Sequence, residues 1–321
     1  MIPWLVLLQA TLSIVTGPAT APEYWPLWVA QSEGYFEQER LTVTLAPARA
    51  DTPAAEALAR GRADLAATSL DAAITLGHVG GLPPKVVFGL ASTPAVALLV
   101  PAARKEAVKS LADLAGKTVG VTAPGTPDAL VLLSLLDVAG VGVPRVTVKS
   151  YGERGLAAAI ASGEVAAGII GDPAATRLVE EGQAVTLVDL RKRDADTRWL
   201  GAPTVQAAIF ARADTNLGPA QLAPLARALL RALARLETAT PEELRTALPG
   251  EANGFPEDFA VRLLGARAIY LRNGWVSPDM LKASIALVRN RSAIPAKVSV
   301  PRNMGRLLLT DSLKEVLESR R

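Results

Sequence analysis

Apolar and polar residues follow one order of strand and helix patterns that occurs twice along the chain. The first copy covers residues 12–70 and the second covers residues 119–172. In each copy a short apolar strand, at 12–15 or at 119–121, is followed by residues with helical spacing. Each copy therefore predicts a strand-helix-strand-helix-strand unit.

The joint between the first strand and the first helix has the same pattern, T-x-P-x-T, in both copies. It reads TGPAT at residues 16–20 and TAPGT at residues 122–126. The proline restricts the backbone, and the small residues leave room beside two hydroxyl groups. Free N–H groups and the positive end of the helix dipole at such a joint attract negative or polar ligands. The pattern predicts a binding geometry in each copy.

A second match lies downstream, where ALARGRADLA at 57–66 corresponds to AIASGEVAAG at 159–168. Both segments predict a helix that ends at a glycine, then a buried strand and a polar loop. Coincidence in a chain rich in Ala and Leu is the alternative explanation for either match alone. Two matches in the same order favour two related lobes.

The remaining pattern predicts elements that connect and extend these lobes. A charged stretch at 191–198 (RKRDADTR) indicates a solvated loop, with the alternative that one Arg turns inward to a ligand. Prolines near the helix starts at 219, 241, 256 and 278 indicate a helical tail, which needs a sheet to pack on. We expect a discontinuous first lobe at 11–95 and 205–321 and a second lobe at 96–204. The other predicted helices are 26–37, 53–60, 71–79, 111–116, 128–139 and 155–161, and the other predicted strands are 41–45, 64–67, 86–90, 96–100, 146–148, 165–170, 185–188 and 205–211.

Composition narrows the chemistry. The 321 residues are half apolar, and the net charge of +3 comes from scattered Arg without basic runs, which argues against nucleic acid as a partner. The chain has no Cys and a single His, which removes thiol nucleophiles, disulfides and zinc-finger spacing. We expect no metal and no cofactor. His78, at a predicted helix end, is interpreted as a partner of the helix dipole rather than as a catalytic group. Residues 1–10 are apolar and are interpreted as a clipped signal peptide, with a native strand extension or a misplaced start as alternatives.

Several short segments together resemble a known family. They are PLWVA at 26–30 with GYF at 34–36, the 57–66 segment, LADLAGKTVGV at 111–121, Gly125-Thr126 at a helix start, and GEVAA at 163–167 leading to Asp172-Pro173. In this order they resemble the sulfonate/nitrate/taurine and thiamine-precursor (NMT1/THI5-like) solute-binding proteins of ABC importers. The resemblance covers roughly residues 11–290.

That resemblance implies an α/β, two-lobed type II periplasmic binding protein fold, with two crossing strands as a hinge and the helical tail on the first lobe. It implies a monomeric, periplasmic or extracellular protein that closes on a small-molecule ligand and delivers it to an ABC permease and its ATPase. The ligand is expected between the lobes, at the loops that follow the strands. The implied ligand-binding residues are Thr16, Gly17, Pro18, Tyr24, Trp25, Thr68, Ser69, Ser92, Thr93, Gly125, Thr126, Pro127, Asp128 and Asp172.

Residue chemistry suggests roles within this set and leaves some of them open. Thr126 and the N–H groups at 125–128 are suited to an anionic or carbonyl oxygen, although the carboxylate of Asp128 would weaken sulfonate or nitrate binding unless it points away. Tyr24 and Trp25 either offer flat surfaces to the ligand or pack beneath the first loop. Asp172 binds a donor group of the ligand, pins the hinge, or caps a helix that has Pro173 at its first position.

Two classes of function compete. The first is a binding protein that releases a small polar organic solute or oxyanion unchanged. The second is an enzyme on the same fold, of the pyrimidine-precursor synthase or menaquinone-pathway type. The pyrimidine-synthase family pattern needs a cysteine-rich segment and a reactive His, and this chain has no Cys. We therefore expect a non-enzymatic binding protein.

Overall fold

The computed structural model describes residues 10–76, 83–142, 145–253, 256–291 and 300–320. His78 and nearly all of the predicted signal segment lie outside these ranges. Within them the strands form two five-stranded mixed sheets with helices on their faces. The strands are β1 (Ala10–Thr16), β2 (Leu41–Pro47), β3 (Leu65–Ser69), β4 (Lys85–Ala91), β5 (Val96–Pro101), β6 (Thr118–Val121), β7 (Thr147–Ser150), β8 (Ala167–Gly171), β9 (Ala184–Asp189) and β10 (Ala207–Ala211).

The two sheets have the same topology. Sheet 1 has the order β2-β1-β3-β10-β4, and sheet 2 has the order β7-β6-β8-β5-β9. In each, the three repeat strands are parallel and the strand that crosses from the other half runs antiparallel to both its neighbours. The predicted repeat and the predicted α/β fold are therefore confirmed. We call sheet 1 with its helices lobe 1, and sheet 2 with its helices lobe 2.

Helices cover the faces of both sheets, and most lie where the apolar spacing predicts them. The exception in the first repeat is the segment predicted as one helix over 26–37, which the structure divides in two. Gly34 has φ = +67° there, a conformation that ends one helix before the next begins. The helices are α1 (Trp25–Ser32), α2 (Tyr35–Gln38), α3 (Asp51–Ala59), α4 (Leu70–Leu76), α5 (Pro127–Val138), α6 (Gly152–Ser162), α7 (Ala174–Glu180), α8 (Ala195–Leu200), α9 (Pro219–Thr238), α10 (Pro241–Ala247), α11 (Gly250–Asn253), α12 (Pro256–Ile269), α13 (Pro278–Arg291) and α14 (Asp311–Glu318).

The C-terminal helices pack mainly on lobe 1. Leu225, Leu229 and Leu236 of α9 share one buried cluster with the strands of sheet 1, with α1 and with α12. On the other face, Leu281 and Ile285 of α13 pack with α3 and α4. Helix α13 also touches α5 of lobe 2, so the tail contacts both lobes. Among the described residues, none of the helices is both long enough and apolar enough to span a bilayer.

Two chain segments cross between the lobes, one from β4 to β5 and one from β9 through α8 to β10. Hydrogen bonds tie them together: Thr204 Oγ1 donates to the Ser92 carbonyl oxygen at 2.8 Å, and Thr93 Oγ1 donates to the Leu190 carbonyl oxygen at 3.2 Å. Both crossings lie beside the boundaries expected near residues 95 and 204, and these boundaries stay predictions.

The charged stretch at 191–198 is only in part the solvated loop that its sequence indicates: residues 192–194, 197 and 198 are exposed. The Arg191 side chain is only 11% exposed, and residues 195–198 belong to α8. Asp196 is buried and accepts a hydrogen bond from the Thr204 amide at 2.7 Å. The prediction fails at Arg191 and Asp196, because the carboxylates of Asp172 and Asp189 and the amide of Thr204 replace water around their charges.

Candidate functional site

A cavity of about 440 Å³ lies between the two lobes. Its walls come from the loop after β1, the β4–β5 crossing, the loop between β6 and α5, the loop after β8, and α12. Except for α12, these are segments in which the sequence predicts ligand contacts. Ligand sites of α/β proteins commonly lie at such strand ends and between domains. The lining residues are Thr20, Ala21, Pro22, Glu23, Pro94, Ala95, Val96, Thr122, Pro127, Asp128, Gly171, Asp172, Pro173, Asp258 and Arg262.

Of the predicted ligand residues, the structure brings Pro127, Asp128 and Asp172 to this cavity. Ser92 and Thr93, with Pro127, line a much smaller crevice of about 20 Å³ beside the crossing segments. The other predicted residues are absent from the cavity lining formed by the described ranges, namely Thr16, Gly17, Pro18, Tyr24, Trp25, Thr68, Ser69, Gly125 and Thr126.

Most of the predicted polar groups of lobe 1 belong to a hydrogen-bond network behind the cavity, centred on Asp51. The Tyr24 hydroxyl donates to the Asp51 carboxylate, and Ser69 donates to it through its hydroxyl and its amide. Thr68 Oγ1 donates to the Asp51 carbonyl oxygen at 2.9 Å. Burial raises the pKa of Asp51, and burial together with the nearby Asp51 charge raises that of Tyr24. These groups are satisfied internally, and they hold the loop after β1 in place.

Of the two roles considered for Trp25, ligand contact or packing beneath the first loop, the structure shows packing. Its side chain is fully buried in the core of lobe 1, 5.4 Å from the ring of Phe259 between centroids. The guanidinium of Arg262 lies over the same indole ring at 5.3 Å. Trp25 therefore supports the cavity wall through Arg262, and it is not exposed to the cavity. The neighbouring aromatic pair could not be assigned from sequence, because a buried and a ligand-facing aromatic look the same there.

At the start of α5, the predicted oxygen-binding groups serve their own loop. The Asp128 carboxylate accepts a hydrogen bond from the Thr122 amide at 3.0 Å, and Thr126 Oγ1 donates to the Ala123 carbonyl oxygen at 2.6 Å. Asp128 is 8% exposed, so a carboxylate stands at the helix N-terminus where an anionic ligand would be favoured. This arrangement weakens the interpretation of that helix start as an anion site.

Asp172 combines a capping role with an ion pair. Its Oδ1 atom accepts hydrogen bonds from the amide and the hydroxyl of Thr176, at 3.1 and 2.8 Å, in the first turn of α7. It also accepts one from Arg191 Nη1 at 2.6 Å. The helix starts at Ala174, one residue later than predicted, so Pro173 occupies the N-cap position. Arg191 was missed because it follows β9, in a stretch whose sequence gives no sign of this partner.

Three charged residues of the wall were also missed in the sequence. Asp258 and Arg262 lie one turn apart on α12, 81 residues from Arg177 and 242 residues from Thr20, their respective hydrogen-bond partners, and only the fold brings them there. Glu23 precedes the aromatic pair and is 6% exposed. Burial, with a smaller contribution from the charge of Asp51, raises the pKa of Glu23 to about 7, although a backbone hydrogen bond and the charge of Arg262 act in the opposite direction. The wall thus contains four carboxyl groups and one guanidinium.

Comparisons with known proteins agree with this architecture. Residues 21–235 match the family described as NMT1/THI5 like. The aliphatic sulphonate binding protein of Escherichia coli has a similar structure, with a TM-score of 0.70 and 20% identity over 92% of this chain and 97% of that one. The alkanesulfonate-binding protein of Xanthomonas axonopodis pv. citri has a TM-score of 0.66 and 23% identity, over 94% of this chain and 98% of that one. The nitrate-binding protein of Synechocystis PCC 6803 has a TM-score of 0.67 and 14% identity, over 97% of this chain and 89% of that one. No curated protein matches the sequence significantly.

Proposed function

Because the chain belongs to the NMT1/THI5-like family, we propose that it is an extracytoplasmic solute-binding protein of an ABC importer. It holds a small polar organic solute or oxyanion of the sulfonate, nitrate, taurine or pyrimidine type. It acts as a monomer and delivers the solute to a permease that is driven by an ATPase. The structurally similar proteins named above, which are sulfonate-binding and nitrate-binding, support this class of solute.

The observation that carries the proposal is the cavity of about 440 Å³ with walls from both lobes. The two crossing segments join the lobes, and α13 of the tail contacts α5 of lobe 2. A cleft between two lobes that are joined by a hinge can close around a solute and release it on opening. Binding and release need no change in the solute's covalent bonds.

The test is a thermal-shift screen with sulfonates, nitrate, taurine, pyrimidines, flavins and polyamines. A specific ligand at 100 times its dissociation constant stabilises the protein by about 2.7 kcal/mol, which raises the unfolding midpoint. As a control, Thr20→Trp places an indole at an exposed position of the cavity wall and should abolish the shift while the protein stays folded. A screen in which no compound moves the midpoint of the wild type contradicts the proposal.

The competing enzyme function is separated from binding by the fate of the bound compound. The protein is incubated with each compound that gives a shift, and the compound is then recovered and weighed by mass spectrometry. We expect an unchanged mass. A product that accumulates over many turnovers would instead support an enzyme on this fold.

A further inference from the structure

The cavity wall contains one buried carboxyl group that no other side chain satisfies. Glu23 is 94% buried and lines the cavity. Among the described residues no side chain donates a hydrogen bond to its carboxylate: its hydrogen-bond partner there is its own backbone amide, and Asp51 and Arg262 act on it through their charges. The other carboxylates of the wall have partners: Asp128 has the Thr122 amide, Asp172 has Arg191, and Asp258 has Arg177.

The guanidinium of the wall does not neutralise Glu23 by direct contact. Arg262 donates to the carbonyl oxygens of Ala252 and Thr20, at 2.8 and 2.5 Å, and stacks on Trp25. Its effect on Glu23 is a charge–charge attraction, the smallest of the influences on the pKa of that carboxyl. An unpaired carboxyl in a partly desolvated wall attracts positive charge and N–H donors, and it repels oxyanions.

Glu23 is also held rigidly. It lies in a 3₁₀ turn, Pro22–Tyr24, between two anchored neighbours. The Pro22 carbonyl oxygen accepts a hydrogen bond from the Tyr270 hydroxyl at 2.9 Å, and the Tyr24 hydroxyl is bound to Asp51. Because both flanking residues are fixed, the backbone that carries the Glu23 side chain is preorganised at the cavity wall.

We propose that Glu23 determines the specificity of the cleft, and that the solute carries an ammonium or other N–H donor group that the Glu23 carboxyl receives. This inference rests on the proposed solute-binding function and narrows it. Within the classes considered, it selects amine-bearing sulfonates and aminopyrimidines over nitrate and amine-free sulfonates.

The same assignment gives a pH dependence. An ammonium group binds the ionised carboxylate, and burial places the pKa of Glu23 at about 7. Affinity for an ammonium ligand therefore rises about tenfold per pH unit below pH 7 and levels off above it. The charged and titratable groups that surround Glu23 are Tyr24, Asp51 and Tyr270 in lobe 1, Arg262 on α12, and Asp128, Asp172 and Asp258 around the cavity.

The experiment is calorimetric titration of the full chain with two matched pairs of probes, taurine against ethanesulfonate and 4-aminopyrimidine against pyrimidine. Wild type is compared with Glu23→Gln and with Glu37→Gln, which makes the same change on an exposed position of the neighbouring helix. We expect the amino member of at least one pair to bind wild type and E37Q at least tenfold more tightly than its amine-free analogue. In E23Q this ratio falls below threefold.

Two results would overturn the inference and leave solute binding intact: amine-free probes that bind wild type as tightly as the amino probes, or an unchanged ratio in E23Q. If neither these probes nor the earlier panel binds, the proposed function fails and the inference fails with it. Should E23Q not fold, the wild-type pH profile decides, because an affinity for the ammonium probe that is constant between pH 5.5 and 8 excludes Glu23 as its partner.

Discussion

Arg191 lies between two carboxylates that reach it from different strand ends, Asp172 after β8 and Asp189 at the end of β9. Its Nη1 atom is 2.6 Å from Asp172 Oδ1, and its Nε atom is 2.9 Å from Asp189 Oδ1. Burial acts to raise the pKa of Asp189, but the hydrogen bonds and charge of Arg191 outweigh it and hold that pKa below its usual range. The guanidinium therefore joins the first turn of α7 to the second crossing segment.

Removing this guanidinium leaves two poorly solvated carboxylates without a partner. We expect Arg191→Met to destabilise the protein by about 3 kcal/mol, because breaking a buried pair leaves the remaining charge uncompensated. The control is Arg60→Met, whose partner Glu56 is exposed, and which should cost less than about 1 kcal/mol. Urea unfolding of both variants measures the difference, and equal costs would show that Arg191 behaves as a surface residue.

Glu23 has a measurable effect on stability without any ligand. Its pKa in the folded protein, about 7, lies above the ordinary value of 4.5. The unfolded chain therefore releases this proton first as the pH rises, and stability is lost between about pH 4.5 and 7 and stays lost above it. Glu23→Gln should be more stable than wild type by up to about 3 kcal/mol at pH 8 and nearly equal to it at pH 4. Urea unfolding at both pH values measures this, with Glu37→Gln as the same change at an exposed position; a difference between Glu23→Gln and wild type that does not change with pH would contradict it.

At the scale of elements, the conformation of the loop after β1 requires a residue without a side chain at position 17. A Cβ atom on Gly17 would overlap the ring of Tyr24 and the carboxylate of Asp51, the two groups that form the central bond of the buried network. The loop from β1 into α1 can follow its path only because this residue has no side chain.

Gly17→Ala should therefore separate Tyr24 from Asp51 and destabilise the protein by about 1 to 3 kcal/mol. A matched change at Gly155, inside α6, meets only Tyr151 Cβ at an ordinary 3.6 Å and should stabilise the helix by up to about 1 kcal/mol. Thermal unfolding of the two variants should shift in opposite directions. A Gly17→Ala midpoint at or above that of wild type would show that the network tolerates the methyl group.

The sequence predicted most elements because strand alternation, helical spacing, prolines near helix starts and glycines at helix ends are local signals. Where a local signal was overridden, a specific contact is responsible. Gly34 splits a helix that apolar spacing alone continues, and Arg191 leaves solvent for distant carboxylates. The aromatic pair at 24–25 faces inward because lobe 1 supplies Asp51 and Phe259 as partners. Asp189 is two residues from Arg191, but Asp172, Asp51 and Phe259 are at least 19 residues from the side chains that they meet and could not be predicted from the spacing.

At the scale of the whole molecule, the sequence indicated the loops that meet at the cavity but not most of the side chains that line it. Strand ends can be located from pattern alone, and parallel strands bring their ends to one edge of a sheet. Which side chain faces the cavity depends on the opposite lobe and on α12, which supplies Asp258 and Arg262. The charge of the wall is therefore a property of the assembled lobes.

Two ion pairs connect lobe 1 to the other side of the molecule: Arg177 of lobe 2 with Asp258 of the cavity wall, and Arg193 of the second crossing segment with Glu237. Partly exposed pairs contribute about 0.5 kcal/mol each, so together they favour closure by about 1 kcal/mol, a factor of roughly five. We expect the double variant Arg177→Gln with Arg193→Gln to shift the equilibrium between closed and open forms toward the open form by that factor. Since the chain has no native Cys, cysteines introduced at the exposed positions Glu37 and Glu181 carry dyes for energy transfer between lobes.

In that measurement the double variant should show lower transfer efficiency than wild type. The control, Arg60→Gln, removes a pair within lobe 1 and should leave the efficiency unchanged. High salt should act on wild type in the same direction as the double variant, because it screens partly exposed pairs. Equal efficiencies in all three proteins would show that the two pairs do not contribute to closure.

Strand β10 lies between β3 and β4 in sheet 1, although it follows every strand of sheet 2 in the sequence. During synthesis, sheet 1 is consequently begun before sheet 2 but completed after it. All strands of sheet 2 have been made at residue 189, whereas sheet 1 is complete only after residues 207–211. A nascent or truncated chain that stops near residue 200 therefore contains every strand of sheet 2 but lacks β10 of sheet 1. In such a chain β3 and β4 have unpaired edges. Such edges recruit strands from other molecules, so translational pausing in this interval carries a risk of aggregation that ends once β10 is inserted.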